Sequence, residues 1–237
     1  MRRLSWMKPL LPGTHLVPRL LACAGAAIGI VLTVLLCGRF QLSASDVPFI
    51  VAPVGASAVL VYAVPASPLA QPWSVVGGNM LSTLVGVAAA KATPDLALAA
   101  GLAVGGAIFV MSAFRCLHPP GGAAALTAVI GGPAVHAAGF AFALAPVAIN
   151  SIVLVSLGMA FHRATGHSYP HHAPLPPKDI EALRVAAGFH VEDIDRALDE
   201  LPDSIDISRD DLDLLLARAE IYAKDRHRRS MALPPSG

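Results

Sequence analysis

Acidic side chains are nearly missing from the first three quarters of this 237-residue chain. Residues 1–175 hold two, Asp46 and Asp95, against eight Lys/Arg. Both acids fall at the ends of apolar runs, so no carboxylate is expected inside one. That argues against a carboxylate proton relay, a buried general base or a sodium site made of acids. Cysteine is scarce as well. Cys23 and Cys37 share one apolar run, about 21 Å apart if that run is helical, far beyond bridging distance. Cys116 stands alone, so no disulfide framework is expected. There is no H-E-x-x-H, no P-loop and no Ser–His–Asp arrangement in workable order. The chain is accordingly not expected to be an enzyme, to carry a cofactor or to bind nucleic acid.

Hydrophobic residues fill what remains, 55% of the total, too many for an ordinary soluble domain of this length. Six apolar runs emerge, at about 20–37, 46–64, 72–91, 94–115, 118–137 and 139–162. The first, third, fourth and sixth have the length needed to cross a hydrocarbon layer of about 30 Å. The second opens Val47-Pro48 and contains Pro53-Val54-Gly55-Ala56-Ser57; the fifth opens His118-Pro119-Pro120 and is interrupted at Gly131-Gly132-Pro133. Full spans, half-helices and re-entrant segments all fit these two, and four or five true spans is the standing alternative to six. The expected fold is an all-α membrane bundle of about six segments. Residues 1–19 form a cytoplasmic arm, 20–163 the membrane domain, 164–177 a Pro/His-rich linker and 178–237 an acidic helical tail, disordered at its end.

Four basic residues (Arg2, Arg3, Lys8, Arg19) precede the first run, which exceeds a signal-peptide core and has no A-x-A site after it. A retained first helix is expected. The distribution of Lys/Arg, with Arg115 and Arg163 on the same side as the arm in a six-span arrangement, fits both termini in the cytoplasm of an inner-membrane protein.

The most informative stretch is Arg115-Cys116-Leu117-His118-Pro119-Pro120-Gly121-Gly122-Ala123. Adjacent prolines break a helix or start one, and in hydrocarbon broken backbone survives only where protein or a watery cavity completes its hydrogen bonds. If a helix begins at Pro119, the amides of Gly121, Gly122 and Ala123 sit at its positive end, which attracts small anions. His118 adds a donor or a switchable charge, and Arg115 a permanent one or a headgroup anchor. Pro53 through Leu60 lines up with Pro119 through Leu126. Each block is the middle of a three-run set followed by a run bearing one Asn, Asn79 or Asn150. Such a 3+3 duplication would place the halves in inverted orientation with two broken helices meeting near the midplane. Pro53, Gly55 and Ser57 then form a second half-site, and Asn79 and Asn150 either contact solute or join helices. Gly25-x-x-x-Gly29 and Gly101-x-x-x-Gly105 are spacings that let helices approach closely, best read as packing within one protomer.

Arg115 through Gly132, RCLHPPGGAAALTAVIGG, resembles the signature of the HPP family of integral membrane proteins, and Pro53 through Asn79 resembles that family's other well-marked block. The resemblance covers roughly residues 18–163. It implies a bundle of four or more transmembrane helices and an activity in transport, with nitrite as solute by analogy with plant chloroplast members. Many bacterial members carry C-terminal CBS domains; here the tail resembles the connector that precedes them, and no CBS pair is expected.

The tail holds fourteen Asp/Glu and nine Lys/Arg after residue 175 and reads as helices near 178–187, 191–200 and 208–226. Ser208 is the expected N-cap of the last, with Leu212, Leu215, Leu216 and Ala219 as its apolar stripe. His162, His167, His171 and His172 straddle Gly166 and a proline, so no metal site is expected. The 203–210 acidic run has no EF-hand glycine and is not expected to bind calcium. The leading functional expectation is a permease or channel for a small anion, with the lipid bilayer and a homo-oligomer as further partners. The alternative is a membrane-anchored scaffold presenting residues 178–226 to a cytoplasmic protein.

Overall fold

The computed structural model describes residues 16–39, 50–172, 191–200 and 206–232, and every regular element among them is helical. The N-terminal arm with Arg2, Arg3 and Lys8, the opening of the second run with Asp46, residues 173–177 of the linker and the tail helix expected at 178–187 lie outside the described residues. So do residues 203–205 of the acidic run and the chain beyond Ala232. Two compact units form, one from residues up to Pro65 together with Leu69–Pro170, the other from Ala66–Pro68 together with His171 onward.

The first unit contains α1 (Leu16–Arg39), α2 (Pro53–Ala63), α3 (Pro72–Ala92), α4 (Leu96–Ala113), α5 (Pro119–Ile130), α6 (Pro133–Ala138) and α7 (Ile149–Thr165), the last entered through a π-helical turn at Ala143–Ala148. Four stretches are long and apolar enough to cross a membrane: α1, α3, α4 and Ala143–Thr165. Their outward faces carry side chains no aqueous surface would tolerate together, among them Ile28 and Leu35 on α1 and Leu102 and Phe109 on α4. α2 and α5, with 11 and 12 residues, are a different kind of element. At 1.5 Å per residue each rises roughly 17 Å, little more than half of a hydrocarbon layer. Both begin with proline in the first turn, where its missing N–H costs nothing.

α3 is the hub, packed against both α4 and α5. Glycines set how close the helices come. A Cβ on Gly86 would stand 2.2 Å from the Ala125 carbonyl oxygen, and one on Gly78 would stand 2.5 Å from His118 Cβ. The α3 and α5 backbones thus approach nearer than any side chain permits, as small residues allow in membranes. α1 uses the same device, with Gly25, Gly29, Thr33 and Cys37 as its buried stripe. Phe161 lies over Gly25 and Tyr62 over Gly29. The other spacing, Gly101 and Gly105 on α4, faces open space.

Chain punctuation follows local chemistry. Asp95 caps α4, its carboxylate accepting the Leu98 amide at 2.8 Å. At the other end of α4, Cys116 N–H bonds Met111 O at 2.9 Å and Arg115 N–H bonds Ser112 O at 3.2 Å, the paired bonds of a Schellman ending. The left-handed position in that ending, usually glycine, is Arg115, with φ 53°. The fifth run, expected as one segment over 118–137, divides at Gly131–Gly132 into α5 and α6 because both glycines adopt extended backbone. The sixth run is interrupted too. Ala145 is extended (φ −132°, ψ 115°) ahead of Pro146, as steric conflict with the proline ring requires.

The second unit holds α8 (Val191–Asp199) and α9 (Arg209–Ala232). Ser208 caps α9 as expected, its oxygen accepting the Asp211 amide at 3.1 Å. The Asp211 carboxylate also lies 2.9 Å from His171 Nε2. Burial pushes the Asp211 carboxyl up, but hydrogen bonds from Ser208 and His171 more than offset this and hold it below its ordinary value. Arg209 pairs with Asp195, joining α8 to α9. The apolar stripe differs from expectation. Among the described side chains of α9, Ala217 is buried and Leu212 and Leu214 are half-buried, whereas Leu215, Leu216 and Ala219 are exposed. Helical spacing alone offers two adjacent leucine faces, and the one containing 214 and 217 turns inward.

Candidate functional site

His118 is the N-cap of α5 and is fully buried. Its Nδ1 lies 2.8 Å from the Leu69 carbonyl oxygen and its Nε2 lies 2.8 Å from Ser57 Oγ on α2. A carbonyl can only accept, so the ring proton sits on Nδ1. The neutral ring then presents the Nε2 lone pair to the Ser57 hydroxyl, whose 2.8 Å contact there is shorter than its 3.2 Å alternative to the Pro53 carbonyl.

That direction propagates. With its proton committed to His118, Ser57 Oγ accepts from Asn79 Nδ2 on α3 at 3.1 Å. The second hydrogen of the same carboxamide reaches Ser151 Oγ on α7 at 3.2 Å, and Ser151 donates to the Val147 carbonyl at 2.9 Å. Both serines turn lone pairs toward Asn79, which fixes its amide nitrogen between them and its oxygen elsewhere. Asn79 Oδ1 is buried with no partner, and so is Ser82 Oγ one helical turn along α3. A directed chain of neutral groups therefore joins the heads of both short helices to α3 and α7.

The structure gathers most of the residues singled out from sequence and separates others. His118, Ser57 and Asn79 meet directly. Pro53, Pro120 and Gly121 are buried beside them, while Pro119 and Gly55 are exposed and Gly122 is half-buried. Of the amides expected to point outward, that of Gly121 is engaged in its own first turn, on His118 O at 2.8 Å, and Gly55 N–H is likewise engaged on Ala52 O at 3.0 Å. Gly121 instead serves by its size, since a Cβ there would stand 2.7 Å from Ser82 Oγ and 2.9 Å from Gly78 O. Asn150 lies apart from the chain. Its Oδ1 accepts the Val51 amide at 3.1 Å, completing the entry to α2 where the helix itself supplies no acceptor. Arg115 is exposed at the α4 ending.

Sequence reading missed three supports. Trp73 Nε1 donates to Phe114 O at 3.1 Å and Tyr169 Oη to Ala70 O at 2.8 Å, both fixing the loops around His118. His162, expected at a polar membrane exit, is buried at 3% exposure with Nε2 on the Val61 carbonyl at 2.8 Å, packed among Tyr62, Phe161 and Tyr169. Ser82 gave no signal beyond its place one turn from Asn79. Farther along α3, a cavity of about 190 Å³ is lined by Lys91 and His136 among others. Lys91 has no carboxylate partner among the described residues.

Four long apolar helices, two half-length ones and a buried polar chain between them define an integral membrane protein of the multi-helix kind. The chain belongs to the family described as HPP, transmembrane region, whose model matches residues 12–170. Two transmembrane proteins of Dictyostelium discoideum are similar, one 37% identical over 120 residues and the other 34% identical over 148. The matches cover 48% and 60% of this chain and 42% and 47% of the two relatives, so the chain spans less than half of either. No solved structure matches.

Proposed function

We propose that the protein is a multi-pass permease or channel for a small anion of the nitrite class. The observation that carries this reading is the polar chain from His118 through Ser57 and Asn79 to Ser151. Buried polar groups are expensive in hydrocarbon, and discontinuous helices that bring them together are a recurring setting for solute sites. The excess of basic over acidic residues in the membrane unit, with Lys91 lining a cavity, favours anions over cations. In this reading α1–α3 and α4–α7 are inverted repeats forming six membrane segments, with α2 and α5 meeting from opposite sides. The protein lies in the inner membrane with both termini cytoplasmic and catalyses no covalent chemistry.

Proteoliposomes test the reading through uptake of nitrite, nitrate and formate. Flux above empty vesicles is expected for at least one of them. His118→Ala should lower it by about tenfold or more, the equivalent of one to two buried hydrogen bonds. Absence of flux for all three solutes would overturn the reading, and undiminished flux in the variant would remove His118 from the path. Deleting the tail after Pro176 should leave flux intact; its loss would favour the scaffold reading.

A further inference from the structure

Of the three buried side-chain polar atoms left unpaired among the described residues, His162 Nδ1 lies apart on α7, and the two that neighbour each other on α3 are not those an anion would select. Asn79 Oδ1 is an obligate acceptor, and Ser82 Oγ one turn away on the same face of α3 offers one donor and two lone pairs. The groups recorded against them are uncharged: Ser57 from α2 and Ser151 from α7 on the Asn79 carboxamide, and Gly121 from α5 beside Ser82. The Gly121 and Gly55 amides close their own helix turns. An anion at this place would meet a carboxamide oxygen with no positive charge to offset its desolvation. Glycine at 121 keeps the Ser82 hydroxyl unobstructed, since any Cβ there would fall 2.7 Å from Ser82 Oγ.

We propose that the core admits its solute as the neutral, hydrogen-bond-donating acid and not as the free anion, an inference that rests on the transport reading above. The weak-acid form of a nitrite-class solute carries a hydroxyl donor beside a double-bonded oxygen. Its O–H donates to Asn79 Oδ1 and its second oxygen accepts from the Ser82 hydroxyl, so one molecule satisfies both orphaned atoms. The acid crosses intact and releases its proton to water on the far side, leaving the anion there. Transport is then electroneutral and moves one proton with each anion.

The test uses the full chain in vesicles with a pH-sensitive dye inside, at fixed total nitrite, with the rate of empty vesicles subtracted because weak acids also cross bare lipid. Between about pH 7.5 and 5.5 the protein-dependent rate should rise about tenfold per pH unit, following the neutral fraction. The lumen should acidify, and an imposed potassium diffusion potential should leave the rate unchanged. Formamide, a neutral donor–acceptor that cannot ionise, should compete. Ser82→Ala should lower the rate by about tenfold, the loss of one buried hydrogen bond. A rate that is flat with pH, or that follows the imposed potential, overturns the inference while leaving the transport reading standing. No flux of nitrite, nitrate or formate at any pH defeats the transport reading itself.

Discussion

Two glycines that look alike in sequence have opposite duties. Gly55 and Gly86 both lie in apolar helices, yet a Cβ on Gly55 meets nothing within 4 Å whereas one on Gly86 meets the Ala125 carbonyl oxygen at 2.2 Å. Gly55→Ala should therefore be neutral or stabilising by up to about 1 kcal/mol through helix propensity. Gly86→Ala should destabilise by about 1–3 kcal/mol, because a backbone carbonyl cannot step aside as a flexible side chain can. Thermal unfolding in detergent compares the two, and equal midpoints would contradict the packing described. The chemical groups of the site, His118, Ser57 and Asn79, were readable because ionisable and polar residues are conspicuous in an apolar chain. Their direction was not. Whether His118 offers a charge or a lone pair depends on the Leu69 carbonyl, 49 residues away, and no local pattern announces that contact.

The helix ends supply their own tests. Arg115 occupies the left-handed position that closes α4, a conformation that costs a residue with a Cβ about 1 kcal/mol relative to glycine. Arg115→Gly should raise the stability of the membrane unit by about that much while leaving transport unchanged, read as a shifted unfolding midpoint and an unaltered uptake rate; lowered stability would deny the strain. At the start of α9, Asp211 is held below its ordinary value, so the stability it contributes is present above that ordinary value. It is lost as pH falls through the lowered one. Ser208→Ala should move the Asp211 titration upward in a carbon-detected NMR titration and weaken the first turn by about 1 kcal/mol. An unmoved titration would show that the capping hydroxyl is not what holds it. The cap itself was legible from Ser208 and its acidic followers. The buried face of α9 was not, since Leu212, Leu214, Leu215 and Leu216 offer two faces of equal apolarity.

For the molecule as a whole, length and composition were enough to find the long helices, because a run of about 20 apolar residues has few other uses. The half-length helices were visible as anomalies, with prolines at 53 and 119 marking their starts, but α5 and α6 read as one run until the glycines at 131 and 132 were seen extended. The seam of α1 carries a consequence of a different order. Its buried residues recur every four positions, Gly25, Gly29, Thr33 and Cys37, and that spacing favours a crossing of roughly 40° between neighbouring helices. A helix of 24 residues is about 36 Å long, more than a layer of about 30 Å requires, so α1 spans the layer even when it leans. The length permits the slant that the seam favours, so a thicker bilayer would pull α1 upright and prise it from Tyr62 and Phe161. Membrane thickness then becomes a mechanical load on the bundle, applied through one helix.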